Sequence, residues 1–123
     1  MRIIVPVKQI LDPDGLTFRR DKERMFVNRE DYIIDPGSKS AIEAALRLKG
    51  VEDRVIALSM GKPQADDALR EALAMGCDAA YLLSDEAFKE ADVGVTARIL
   101  AAAIEQLGGA DLVVAAVAQR AVD

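Results

Sequence analysis

The sequence predicts an α/β domain: an open, mostly parallel sheet with helices on both faces and a small hairpin after the first strand. Three observations carry this. The stretch Arg54–Leu83 reads RVIALSMGKPQADDALREALAMGCDAAYLL. One apolar run ends at Ser59-Met60-Gly61, a helix-like segment stops at Gly76, and a second apolar run follows. That is a complete β-α-β unit, and its two strands must be parallel. Second, 51% of the residues are hydrophobic while only 4% are aromatic. Aliphatic side chains must therefore build the core, as in a parallel sheet buried under Ala-rich helices. Third, apolar runs and helical periods alternate along most of the chain.

The elements follow in order. Arg2–Lys8 (RIIVPVK) is a continuous apolar strand. Pro6 cannot donate a ladder bond, which places it near the end of that strand or at an irregularity. Residues 9–34 fit no helical period. Asp12-Pro13-Asp14-Gly15 is a turn signal, and Leu16–Arg20 pairs with Arg24–Asn28 as a hairpin around Asp21-Lys22-Glu23. Ser38, after Asp35-Pro36-Gly37, is the expected N-cap of a helix over Lys39–Lys49. Ile42, Ala45, Leu46 and Lys49 form its inner stripe, widened by Ala41, Ala44 and Leu48, and Gly50 ends it. Arg54–Ser59 is the second long strand. Pro63 stands near the first turn of the next helix, whose inner face is Ala65, Ala68, Leu69 and Ala72. Ala79–Leu83 is the third strand, and Glu86–Ala91 is a short ambiguous segment. Val93–Leu107 is a strong helix with Val95, Ile99, Leu100, Ala103, Ile104 and Leu107 inward, capped by Asp92 and stopped by Gly108-Gly109. Asp111–Val117 is the fourth strand. No linker or repeat interrupts this pattern, so residues 1–123 are expected to form a single nucleotide-binding-type domain.

Composition excludes several functions. The net charge of −5, with no Lys/Arg cluster, argues against nucleic acid or an anionic membrane as partner. No apolar run reaches spanning length, and the expected compartment is the cytoplasm. The chain has no histidine, which removes the commonest general base and metal ligand. The single Cys77 cannot form an internal disulfide or a cysteine metal cluster and reads as a small core residue. No G-x-S-x-G occurs, and Ser59 has no histidine to activate it. Asp66-Asp67 and Glu86/Glu90 fall on helix starts or exposed faces, where solvation and the helix dipole account for them. No catalytic residue and no metal site is assigned.

Nucleotide binding fits better. Open parallel sheets bind ligands outside the carboxyl ends of their strands, where the strand order reverses. Those ends carry Pro6–Lys8, Ser59-Met60-Gly61, Ser84-Asp85 and the segment from Ala116 onward. Gly61 lets a backbone approach a ligand closely, or merely turns a strand into a helix; spacing alone does not separate the two. Neither the G-x-G-x-x-G nor the P-loop fingerprint is present.

Four stretches carry a more specific signal: the opening RIIVPVKQILDP, the helix AIEAALRLKG after Asp35-Pro36, the unit VIALSMGKPQADDALREALAMGCDAAYLL, and ADVGVTARILAAAI. Together they resemble the β subunit of electron transfer flavoproteins, including the nitrogen-fixation-associated type, over nearly the whole chain. The resemblance implies an adenine nucleotide alpha hydrolase-like, Rossmann-like fold. It also implies an electron-carrier subunit without bond chemistry of its own, in a heterodimer with an α subunit that holds the main FAD. The complex passes electrons from acyl-CoA or other dehydrogenases to an acceptor, and the β subunit holds AMP, or a second FAD in bifurcating members. Carried over by position, the nucleotide touches Pro6, the turn Asp35, Pro36, Gly37 and Ser38, Met60, and the segment Arg120, Ala121, Val122 and Asp123. The family's Asn-Pro-aromatic-Asp is replaced by Asp35-Pro36-Gly37-Ser38, and its Gly after the fourth strand has no counterpart in Val114–Val117. The family pattern continues past Asp123 with a Gly- and Thr-rich phosphate loop. The 123-residue form is therefore expected to bind AMP weakly or not at all, and to associate with itself or another subunit through the exposed edge of the fourth strand. A stand-alone adenine-nucleotide module of the stress-protein type is the alternative, and an adenylating enzyme is a third reading. The first would want a Gly-x-Gly-type loop after the fourth strand. The second would want a Ser-Gly-Gly-type loop after the first. Neither loop is present.

Overall fold

The computed structural model describes residues 1–19, 21–22, 24–27, 29, 31–63, 66–84 and 93–116. Four strands form the central sheet: β1 (Arg2–Pro6), β6 (Arg54–Met60), β7 (Ala79–Leu83) and β8 (Leu112–Val113), all parallel, in the order β7-β6-β1-β8. The chain moves outward from β1 through β6 to β7, then crosses back to place β8 on the other side of β1. The order therefore reverses between β1 and β8.

The alternation of a strand's side chains sorts the core into two layers. Ile3, Val5, Val7, Val55 and Ala57 point to one face, where helices α1 (Pro36–Leu48) and α2 (Asp66–Met75) cover them with Ala41, Ile42, Ala45, Ala68, Leu69 and Ala72. Ile4, Ile56 and Leu58 point to the other, under Leu100, Ala103, Ile104 and Leu107 at and just past helix α3 (Val93–Gln106). Helices thus lie on both faces, as the sequence predicts. Cys77 is 7% exposed in the first layer, and burial pushes its thiol up to about 11, so it is a core residue and a poor nucleophile at neutral pH.

The start of α1 differs from expectation. Asp35, not Ser38, is the N-cap; its carboxylate accepts from the N–H groups of Gly37 at 3.1 Å and Ser38 at 3.4 Å. Pro36 at the first helical position explains the shift, because its fixed φ suits a helix start and it has no N–H to lose. Ser38 lies inside the first turn, buried. On the inner stripe, Leu48 is 59% exposed and Ala44 is also exposed. Ala41 is buried as expected, and Ser38 extends the buried face toward the N-terminus.

Helix α3 stops at Gly108 and Gly109, whose φ values of 102° and 84° are open to glycine at little cost. Arg2 then secures this corner: its guanidinium donates to the Leu107 carbonyl and, at 3.1 Å, to the Gly109 carbonyl. Among the described residues the fourth strand is shorter than expected, with only Leu112 and Val113 opposite Ile3 and Ile4; Val114 adds one further bond to the Ile4 carbonyl, and Val117 lies outside the described residues. Ala65, Glu86–Ala91 and Asp92 lie outside the described residues.

Two small antiparallel pairs lie between β1 and α1. The expected hairpin is present as β3 (Leu16–Arg19) and β4 (Arg24–Val27). Phe18, Met25 and Val27 share one of its faces and are 56%, 57% and 55% exposed. The second pair, β2 (Gln9–Leu11) with β5 (Tyr32–Ile34), is not signalled by the sequence. At the root of the hairpin the Gly15 carbonyl accepts from Arg29 N–H, and a Cβ on Gly15 would meet the Arg29 carbonyl oxygen at 2.5 Å. Backbone cannot yield cheaply there. Gly15→Ala is expected to cost about 1–3 kcal/mol and to speed amide exchange in β3 and β4 while the parallel sheet keeps its protection.

Asp78 ties three elements together. Its carboxylate accepts from Val55 N–H at 2.8 Å at the start of β6, and from Lys49 Nζ at 3.0 and 3.1 Å just past α1. These partners, the Val55 N–H foremost, hold its pKa below the ordinary carboxylate range. The charged form therefore stabilises the fold above the unfolded value of about 3.9, and that contribution is lost as pH falls below it toward the lower native value. Asp78→Asn keeps an acceptor for Val55 but loses the charge. The variant's stability should decline less steeply than the wild type's below about pH 4.

Candidate functional site

Pro6 closes β1 against Leu58 of β6. Beyond it the Val7 N–H donates to the Leu58 carbonyl at 2.8 Å, while on the opposite side the Val114 N–H donates to Ile4. Backbone groups of successive strand residues point to opposite neighbours, so the N–H that Pro6 lacks is one that would have faced β8. The ladder between β1 and β8 has no donor there and ends. A cleft of about 310 Å³ opens at this point, at the carboxyl ends of β1, β6 and β8. This is the switch-point position at which open α/β sheets bind ligands.

Its walls come from separate parts of the chain: Pro6–Ile10, Ser38 of α1, Leu58 and Met60 of β6, Thr96 and Leu100 of α3, and Ala115 with Ala116 after β8. Two buried hydroxyls hold the first wall. Ser38 Oγ accepts from Lys8 N–H at 2.9 Å, and Ser59 Oγ donates to the Val7 carbonyl at 2.8 Å. A further bond from Asp35 N–H to the Lys8 carbonyl at 2.9 Å fastens the same corner to the start of α1. The Gln9 side-chain Nε2 is shielded from solvent, and among the described residues no acceptor reaches it. Among the described residues Lys8 is the one charged member of the lining.

Of the residues singled out from sequence, Pro6, Ser38 and Met60 line this one cleft. Asp35, Pro36 and Gly37 are at the adjoining helix start rather than in the lining, and the Asp35 carboxylate is engaged by the two N–H groups it caps. A Cβ on Gly37 would lie 3.1 Å from the Asp35 Oδ2 that caps the helix and 3.4 Å from the Ala116 Cβ, so glycine chiefly leaves room for the cap. Arg120, Ala121, Val122 and Asp123 lie outside the described residues. Gln9 and Thr96 were not foreseen. Thr96 had a signal, since it stands four residues before Leu100 and so shares its helix face. Among the described residues no cluster of His, Cys, Asp or Glu could hold a metal, and no helix is long and apolar enough to cross a membrane.

Residues 24–121 match the family model described as the electron transfer flavoprotein domain. The chain belongs to this family. It is 44% identical over 119 residues to the caffeyl-CoA reductase-Etf complex subunit CarD of Acetobacterium woodii, covering 94% of this chain and 45% of the relative. It is 47% identical to the electron transfer flavoprotein subunit beta of Thermoanaerobacterium thermosaccharolyticum, covering 86% of this chain and 41% of the relative. Protein FixA of Azorhizobium caulinodans is 38% identical, over 88% of this chain and 39% of its own length. The electron transfer flavoprotein chain therefore spans less than half the length of these relatives, and the resemblance to the β-subunit type read from sequence agrees with them.

Proposed function

We propose that this electron transfer flavoprotein domain acts as a β-type subunit: it partners an α subunit that carries the redox flavin, and it holds an adenine nucleotide in the cleft between β1 and β8. The family match carries the reading and ranks it above a stand-alone nucleotide module. The cleft supports it independently. It sits at the switch point, its walls include Pro6, Ser38 and Met60, and its lining combines apolar side chains with a few polar groups. Such a lining suits a flat neutral base and a ribose better than a phosphate, for which Lys8 alone among the described residues offers charge. AMP therefore fits these walls better than the larger FAD. Bound AMP supplies no redox chemistry; it would brace Pro6–Lys8 against α1 and α3. Affinity is expected to be weak, because among the described residues the lining offers the phosphate a single cation, Lys8. A cytoplasmic location, delivery of electrons from a dehydrogenase, and pairing of the β8 edge with another chain belong to the same proposal.

The test is co-expression of the protein with a flavin-bearing α subunit from its own genome, followed by affinity capture and nucleotide analysis. Recovery of a complex containing FAD supports the reading. A protein that captures no flavin-bearing subunit and shows no interaction with AMP contradicts it.

A further inference from the structure

We propose that the Gln9 carboxamide is the cleft's donor for a ring-nitrogen acceptor of the adenine base. The inference rests on the nucleotide reading above and deepens it by naming the residue that reads the base. Gln9 lies on β2 opposite Ile34, and this small sheet holds it against the mouth of the cleft. Its Nε2 is shielded from water, and no described residue offers it an acceptor. A buried donor without a partner destabilises the free fold, and native structures retain few of them. Packing does not require one here: a methionine would fill the same space with no unmet polar atom. Gln9 is itself part of the cleft lining, and the terminal torsion of a glutamine is soft, so a base held in the cleft can supply the acceptor that the donor lacks. There the described walls are largely apolar, with Lys8 the one charge among them. An amide donor in such surroundings suits a neutral ring nitrogen of a flat base.

This predicts opposite effects on stability and binding. Gln9→Met removes the unmet donor, so the free protein should melt at the same temperature as the wild type or higher. AMP binding should weaken about five- to tenfold. Gln9→Glu keeps the shape, replaces the donor by a carboxylate, and should weaken AMP at least as much. Binding of ribose 5-phosphate, which lacks the base, should not change in either variant.

The experiment is a titration of wild type and both variants with AMP and with ribose 5-phosphate. Binding is followed by nuclear magnetic resonance, including the Gln9 side-chain NH2 signal, and thermal melts are recorded without ligand. The proposal predicts a shift of that signal with AMP alone, a selective loss of AMP affinity, and no loss of stability in Gln9→Met. AMP affinities within twofold of wild type in both variants overturn it while leaving the nucleotide reading intact. An equal loss for ribose 5-phosphate overturns it by assigning the donor to the sugar-phosphate. Destabilisation of Gln9→Met overturns it by making Gln9 structural. A wild type that binds neither ligand overturns the nucleotide reading itself, and this inference with it.

Discussion

Replacing Ile4 by Ala is expected to lower the unfolding free energy by about 2–5 kcal/mol, the largest effect expected of a single truncation in the layer under α3. Ile4 is fully buried. It is the point where β6, β1 and β8 lie side by side, paired with Ile56 on one flank and Val113 on the other. Its side chain faces α3, in a layer whose other fully or nearly fully buried members are Ile56 and Leu58. The opposite layer has two helices and many more buried residues over which to spread a loss. A cavity under α3 has fewer neighbours to collapse into it, so the cost should fall in the upper part of the range. Chemical denaturation with an unchanged slope measures it. A loss below about 1 kcal/mol would show that α3 does not pack on this layer as described.

Ser38→Ala is expected to cost about 1–3 kcal/mol and to weaken AMP binding. Ser38 is 2% exposed, and its hydroxyl is the acceptor for the Lys8 N–H. Alanine leaves that backbone donor without its partner and frees the wall from Val7 to Gln9 to move. The variant keeps the Asp35 cap, so α1 itself should persist. Ser38→Thr retains the hydroxyl and should recover part of the lost binding, which separates loss of the bond from loss of the helix. Melting temperature and AMP titration, read together on both variants, check this.

The central sheet was legible because its strands are long, aliphatic and punctuated. Ala79–Leu83 was bounded correctly, since Gly76 ends one helical period before it and the polar Ser84 follows it. The helix start at Asp35 was misread because Asp35 and Ser38 are both good caps; Pro36 is the signal that decides between them. The β2–β5 pair escaped notice because QIL and YII are too short to show a period and pair across a long excursion. The short fourth strand could not be foreseen either. Leu112–Val117 is apolar throughout, and what ends its pairing is the missing donor of Pro6 on a different strand.

The candidate site divides the same way. Pro6 and Met60 stand at strand ends, and a parallel sheet brings strand ends together, so their convergence follows from topology. Gln9 and Thr96 enter only through tertiary packing: β2 folds against β5, and α3 lies across the sheet. A pattern along one chain does not report that juxtaposition. The shielded Nε2 of Gln9, without an acceptor among the described residues, follows from those surroundings and not from the local sequence.

The claim that the β1/β8 cleft holds an adenine nucleotide is tested most directly by titrating the protein with AMP to millimolar concentration while following backbone amide resonances. The account predicts saturable shifts that cluster at Val7, Lys8, Gln9, Ser38, Met60, Thr96 and Ala116. Shifts confined to other surfaces, or none at all, would contradict it.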